Sequence, residues 1–124
     1  MKSSHLRFLL LFCALYDGVL GLSFLFAAPQ LFDLFGVPPV NHFGYVHFPA
    51  ALLLIFALGF FRASGDPRRH RDLVLAGLLL KLAYVGVAGF HWATGGIPFV
   101  WKPFAVIDAV TAVGLFLGWR STRR

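Results

Sequence analysis

The chain has 124 residues, 59% of them hydrophobic and 13% charged, with a mean hydropathy of +0.79. A soluble globule is about half apolar at most, so this composition excludes an ordinary water-exposed domain, and the length suits one domain. The net charge of +6 falls in short basic clusters between apolar runs, which orients a membrane protein and argues against a nucleic-acid partner.

The N-terminal stretch MKSSHLRFLLLFCALYDGVLGLSFLFAAP has a basic start and small residues near Ala27-Ala28, as a signal peptide does. Its apolar run exceeds the roughly 7–15 residues of a signal core, and the rest of the chain is equally apolar. It reads as a first span over residues 8–28, ended by Pro29. Cys13, the one cysteine, excludes an internal disulfide and reads as packing material within that span. The segment Gln30 to Val40 is too short to cross a bilayer. Leu31, Phe32, Leu34 and Phe35 around Asp33 suit a short amphipathic turn at the interface, closed by Pro38-Pro39.

A second span covers residues 45–61, with Pro49 near its first turn, where a missing N–H does little harm. The next loop, RASGDPRRHRD, holds four arginines between Arg62 and Asp72. The third span, residues 73–92, matches the roughly 20 apolar residues that cross a hydrocarbon core. The cluster Thr94 to Pro98 turns the chain, and a fourth span covers residues 103–119, with Pro103 in its first turn. Trp92, Trp101 and Trp119 fall at the expected boundaries, as interfacial aromatics do. Short loops between four spans predict an all-α, up-down antiparallel four-helix membrane bundle in one domain.

Basic residues set the orientation. Lys2, Arg7, Arg62, Arg68, Arg69, Arg71, Arg120, Arg123 and Arg124 would share one side, against Lys102 on the other. This bias places both termini and the central loop in the cytoplasm, with the chain as a multi-pass protein of the cell membrane.

Lys81 lies eight residues into the third span, about 12 Å deep at 1.5 Å per residue. A charge at such depth costs on the order of 3 kcal/mol or more and faces a partner rather than lipid. Helical spacing puts Gly77, Lys81, Tyr84, Ala88 and His91 on one polar stripe. Asp17 in the first span is nearly level with Lys81, and Asp108 lies about 8 Å in from the opposite surface. The economical arrangement sets Lys81 between Asp17 and Asp108, with Tyr84 hydrogen-bonded to one acid; with both acids ionised the trio carries one excess negative charge.

His47 and His91 sit near the outer ends of neighbouring spans, with His42 in the outer loop. They would bracket a metal or a b-type haem only with matched facing positions, and no HxxxH or CxxC spacing supports this. Interfacial hydrogen bonding is the preferred reading, so no metal and no cofactor is assigned. Gly114 and Gly118 form a GxxxG pair that favours close packing within the bundle.

The stretch YDGVLGLSFLFAAPQLFDLFGVP, followed by a compact remainder with Asp108 in the fourth span, resembles the DoxX-like group of small four-span membrane proteins. A similar plan occurs in the sterol-handling EXPERA domain. The resemblance implies a role in quinone-coupled sulfur oxidation or in assisting a partner membrane protein, although the lone Cys13 departs from thiol-active relatives.

These readings lead to a membrane binding or accessory protein with an intramembrane cavity lined by Asp17, His47, Lys81, Tyr84, His91 and Asp108. Its ligand would be an amphipath such as a quinone or lipid, and its surroundings membrane lipids, a second copy or a partner membrane protein. The alternatives are proton-coupled transport through an oligomer and a lipid-modifying enzyme using Lys81, Tyr84 and Asp108.

Overall fold

A computed structural model describes residues 2–122; Arg123 and Arg124, counted above among the basic residues, lie outside them. Five helices follow one another: α1 (Ser3–Phe26), α2 (Ala28–Leu34), α3 (Gly44–Gly65), α4 (Arg71–Thr94) and α5 (Trp101–Ser121). Among the described residues there is no strand. Four helices are long and apolar enough to cross a membrane, in the all-α bundle expected from the sequence, which is the architecture of a multi-pass protein. Large apolar side chains such as Phe8, Phe26, Leu58 and Phe90 stand more than half exposed on its outside, a surface made for lipid rather than water.

The helices extend past the expected spans at most ends, because polar flanking residues continue the backbone ladder beyond the apolar run. The exception is the end of α1, which stops at Phe26 rather than Ala28. Pro29 has no N–H to give the carbonyl four residues back, and its ring would crowd that turn. The break therefore falls at Ala27, and Pro29 serves instead in the first turn of α2. That second helix replaces the expected interfacial turn. It closes with Gly36 at φ 69°, while the Gly36 N–H donates to Asp33 O and the Val37 N–H to Phe32 O. This pairing satisfies the last carbonyls of a helix through a left-handed residue. Phe32 turns inward and is 5% exposed, whereas Asp33 stays outside.

The helices pack in a ring, α1 between α3 and α5, and α4 between α5 and α3. Two apolar cores result. One gathers Leu6, Leu10 and Cys13 of α1, Phe60 and Ala63 of α3, Val74 and Leu78 of α4, and Ala112 and Leu115 of α5, at the end that holds both termini. Glycines admit the large side chains there: Phe60 lies over Gly77, and Leu6 and Leu9 lie over Gly118 and Gly114. The GxxxG pair thus packs within the bundle, as read from the sequence. At the same end Arg71 donates to Thr122 Oγ1 at 2.8 Å and sets its guanidinium 4.8 Å from the Trp119 ring centre. The second core, at the other end, joins Phe24, Ala28, Phe32 and Ala50 with Phe43 and Trp101 at its edge. Gly21 lets α1 approach the Ala50 backbone of α3 closely enough that a methyl group would collide with the carbonyl.

Candidate functional site

Between the two cores, three helices each supply one charged side chain. Lys81 of α4 donates from Nζ to Asp17 Oδ1 of α1 at 2.7 Å and to Asp108 Oδ1 of α5 at 3.2 Å. Lys81 and Asp17 are each 1% exposed and Asp108 8%. The arrangement expected from the sequence, an ammonium between two acids from other helices, is the one observed. The Nζ also lies 5.1 Å from the Tyr16 ring centre and 5.7 Å from that of Phe60, where aromatic faces favour a cation. Thr111 sits one turn beyond Asp108 and donates to the Ile107 and Asp108 carbonyls, so its hydroxyl is satisfied within α5 and leaves the acids to Lys81.

Such a cluster is a poor source of stability. Two or three ions taken out of water lose several kcal/mol each, and their attraction returns this only with good geometry. Its consequence is register. Shifting any of α1, α4 or α5 along its axis by one residue, about 1.5 Å, separates a charge from its partner.

Beside the cluster lies a cavity of about 350 Å³. Asp17 and Asp108 stand in its wall with Tyr16, Leu20, Phe24, Phe32, Trp101 and Phe104; Tyr45, Val46, Pro49, Ala50, Leu52 and Leu53 of α3 face Leu80 and Tyr84 of α4. Pro49 lies six residues into α3, later than the first turn, and leaves the Tyr45 carbonyl without its helical donor. Tyr45 and Pro49 are exposed and form the rim, so the cavity opens to the outside of the bundle rather than being sealed. The volume is at the small end of the roughly 300–1,000 Å³ typical of small-molecule sites, and the lining is overwhelmingly apolar with a few polar atoms, as in such sites.

Of the six residues expected to line the cavity, Asp17, Tyr84 and Asp108 stand in its wall, whereas Lys81 lies behind it, screened by the two acids that it pairs with. Tyr84 does not bond either acid. Its hydroxyl donates to the Trp101 carbonyl in the first turn of α5 at 3.1 Å, as a second donor to a carbonyl that also serves the helix. His91 does not line the cavity. It continues the Lys81–Tyr84 stripe into the last turn of α4, where it is exposed with its ring 5.4 Å from that of Phe90. His47 also stands apart. The inward face of α3 runs through Val46, Pro49, Ala50 and Leu53, and His47 lies beside it, half-buried against Phe43. His42 accepts the Gly44 N–H at 2.9 Å and starts α3.

Sequence reading missed Tyr16 and Trp101. Tyr16, Leu20 and Phe24 recur at helical spacing next to Asp17, a signal that was legible. Trp101 read as an interfacial anchor, yet it packs among Phe24, Phe32 and Phe104 with ring centres 5.6, 6.3 and 6.1 Å away. Trp92 does behave as a boundary aromatic, exposed with the Lys102 ammonium 5.3 Å from its ring centre.

No known protein family, curated protein or solved structure matches this chain.

Proposed function

We propose that this is a small membrane binding or accessory protein that holds the polar end of a quinone- or lipid-like amphipath in the cavity, its tail leaving past Tyr45 and Pro49. The observation that carries the reading is the junction of two environments. An apolar, aromatic-walled cavity open to the membrane side ends on a buried Asp17–Lys81–Asp108 cluster. Charged residues inside a membrane mark binding or conduction paths more often than packing, and an amphipath matches both ends of this one. The same proposal sets the protein in the cell membrane with its termini and the α3–α4 turn in the cytoplasm, since Lys2, Arg7, Arg62, Arg68, Arg69, Arg71 and Arg120 share that end and Lys102 the other. It also includes the kinship with DoxX-like proteins suggested by the stretch from Tyr16 to Pro38.

Gentle purification followed by native mass spectrometry and lipid analysis tests the reading. A bound molecule should accompany the wild type and be lost from Leu53→Trp, which fills the cavity and leaves the ion cluster intact. The same complement of bound molecules in both proteins would refute it.

A further inference from the structure

Two residues of the cavity wall, Asp17 and Tyr16, each carry a buried polar atom that no group among the described residues satisfies. Asp17 spends Oδ1 on Lys81, while its Oδ2 is buried without a hydrogen-bond partner among the described residues. The neighbouring Tyr16 hydroxyl is in the same condition, although its ring is fixed by stacking on Phe12 and by an edge contact with Phe104. A buried polar atom without a partner loses on the order of 1–3 kcal/mol, so two in one cavity call for a group that answers both. Of the other two tyrosines in the wall, Tyr84 is already committed to Trp101 and Tyr45 stands exposed at the rim. Lys81 spends two of its three N–H donors on the Oδ1 atoms of Asp17 and Asp108.

From this unmet pair the geometry points to a neutral, hydroxyl-bearing, single-chain amphipath as the ligand, an inference that rests on the binding role proposed above and narrows it. The ligand hydroxyl donates its proton to Asp17 Oδ2 and accepts one from the Tyr16 hydroxyl. No other simple head serves both atoms as well. A carboxylate or phosphate has no proton for Asp17 and meets a cluster of two acids and one ammonium, whose formal sum is one negative charge. An ether or ketone accepts from Tyr16 but leaves Asp17 unanswered. An ammonium reaches Asp17 but accepts nothing from Tyr16, and Lys81 already holds the cationic position over the Tyr16 ring. Size agrees: about 350 Å³ takes a small head and the start of one chain, not the glycerol and two chains of a phospholipid.

The test uses brominated single-chain probes of equal length ending in a hydroxyl, a methyl ether, a carboxylate or an ammonium. Binding is read by quenching of Trp101 in full-length protein carrying Trp92→Phe and Trp119→Phe. The hydroxyl probe should bind about tenfold more tightly than the ether, the worth of one hydrogen bond to a charged acceptor. Asp17→Asn keeps an oxygen for Lys81 and turns its amide N–H₂ into the cavity, so the hydroxyl preference should vanish or reverse toward the ether. Tyr16→Phe, which removes only the hydroxyl and keeps the ring beside Lys81, should weaken the hydroxyl probe about threefold. Equal binding of hydroxyl and ether, or tighter binding of carboxylate or ammonium, would overturn this inference and leave the binding role standing. If no probe quenches Trp101 beyond the level seen when Leu53→Phe narrows the cavity without adding a tryptophan, both fall.

Discussion

At the end that holds the termini, Phe60 of α3 lies over Gly77 of α4, Leu6 of α1 over Gly118 of α5, and Arg71 ties α4 to Thr122 and Trp119. At the opposite end the large residues are Phe24, Phe32, Trp101 and Phe104, whose rings meet edge to face or tilted, and α3 and α4 stand apart around the cavity. Both ends are made of apolar residues. The difference lies in which small residue faces which large one. A glycine opposite a ring lets two helices meet, as Gly77 does beneath Phe60. Opposite Leu53 and Val46, α4 offers Leu80 and Tyr84 instead, and the pair is propped open. Pro49 helps by removing a helical hydrogen bond on the open side. The ion cluster sits at the boundary, where the closed half shields it and the open half gives access.

The largest expected effect is on that boundary. Lys81→Met leaves two acids facing each other without a cation and should cost about 3–5 kcal/mol, read by unfolding in detergent with helical circular dichroism. Asp17→Asn should cost less, about 1.5–3 kcal/mol by the same measurement, because Lys81 keeps Asp108 and the charges then balance. If the two variants are equally stable, the cluster does not hold the helices in register. Gly77→Ala strikes the closed half. Its methyl group would collide with the Phe60 ring, so α3 and α4 should separate there at a cost of about 1–3 kcal/mol, with a larger distance between spin labels on the two helices. The smallest effect belongs to the open half, where Tyr84→Phe removes one hydrogen bond to Trp101 and should cost about 0.5–1.5 kcal/mol. Hydrogen exchange should quicken in the first turn of α5 and stay unchanged around Phe60.

Part of the site was legible without coordinates. An ammonium about 12 Å deep has few ways to survive, and Asp17 and Asp108 were the only acids placed to meet it, so the pairing followed from depth and charge. Tyr84 and the two histidines were harder, because helical spacing gives a face but not what stands opposite. His91 shares the face of Lys81 yet stands exposed, in the last turn of α4. His47 misses the cavity by one position on α3. Trp101 has the address of an interfacial anchor and the surroundings of a core residue, because α2 folds back and Phe32 reaches its ring.

Hydropathy, the lengths of the apolar runs and the punctuation by Pro29, Pro67 and Pro98 were enough to specify four membrane-crossing helices joined by short turns, since in lipid a backbone has no alternative to satisfying its own hydrogen bonds. Which faces met, where the bundle stayed open and which polar atoms were left without partners depended on side chains from distant parts of the chain coming into contact. Those are properties of pairs, and a linear order of residues does not contain them.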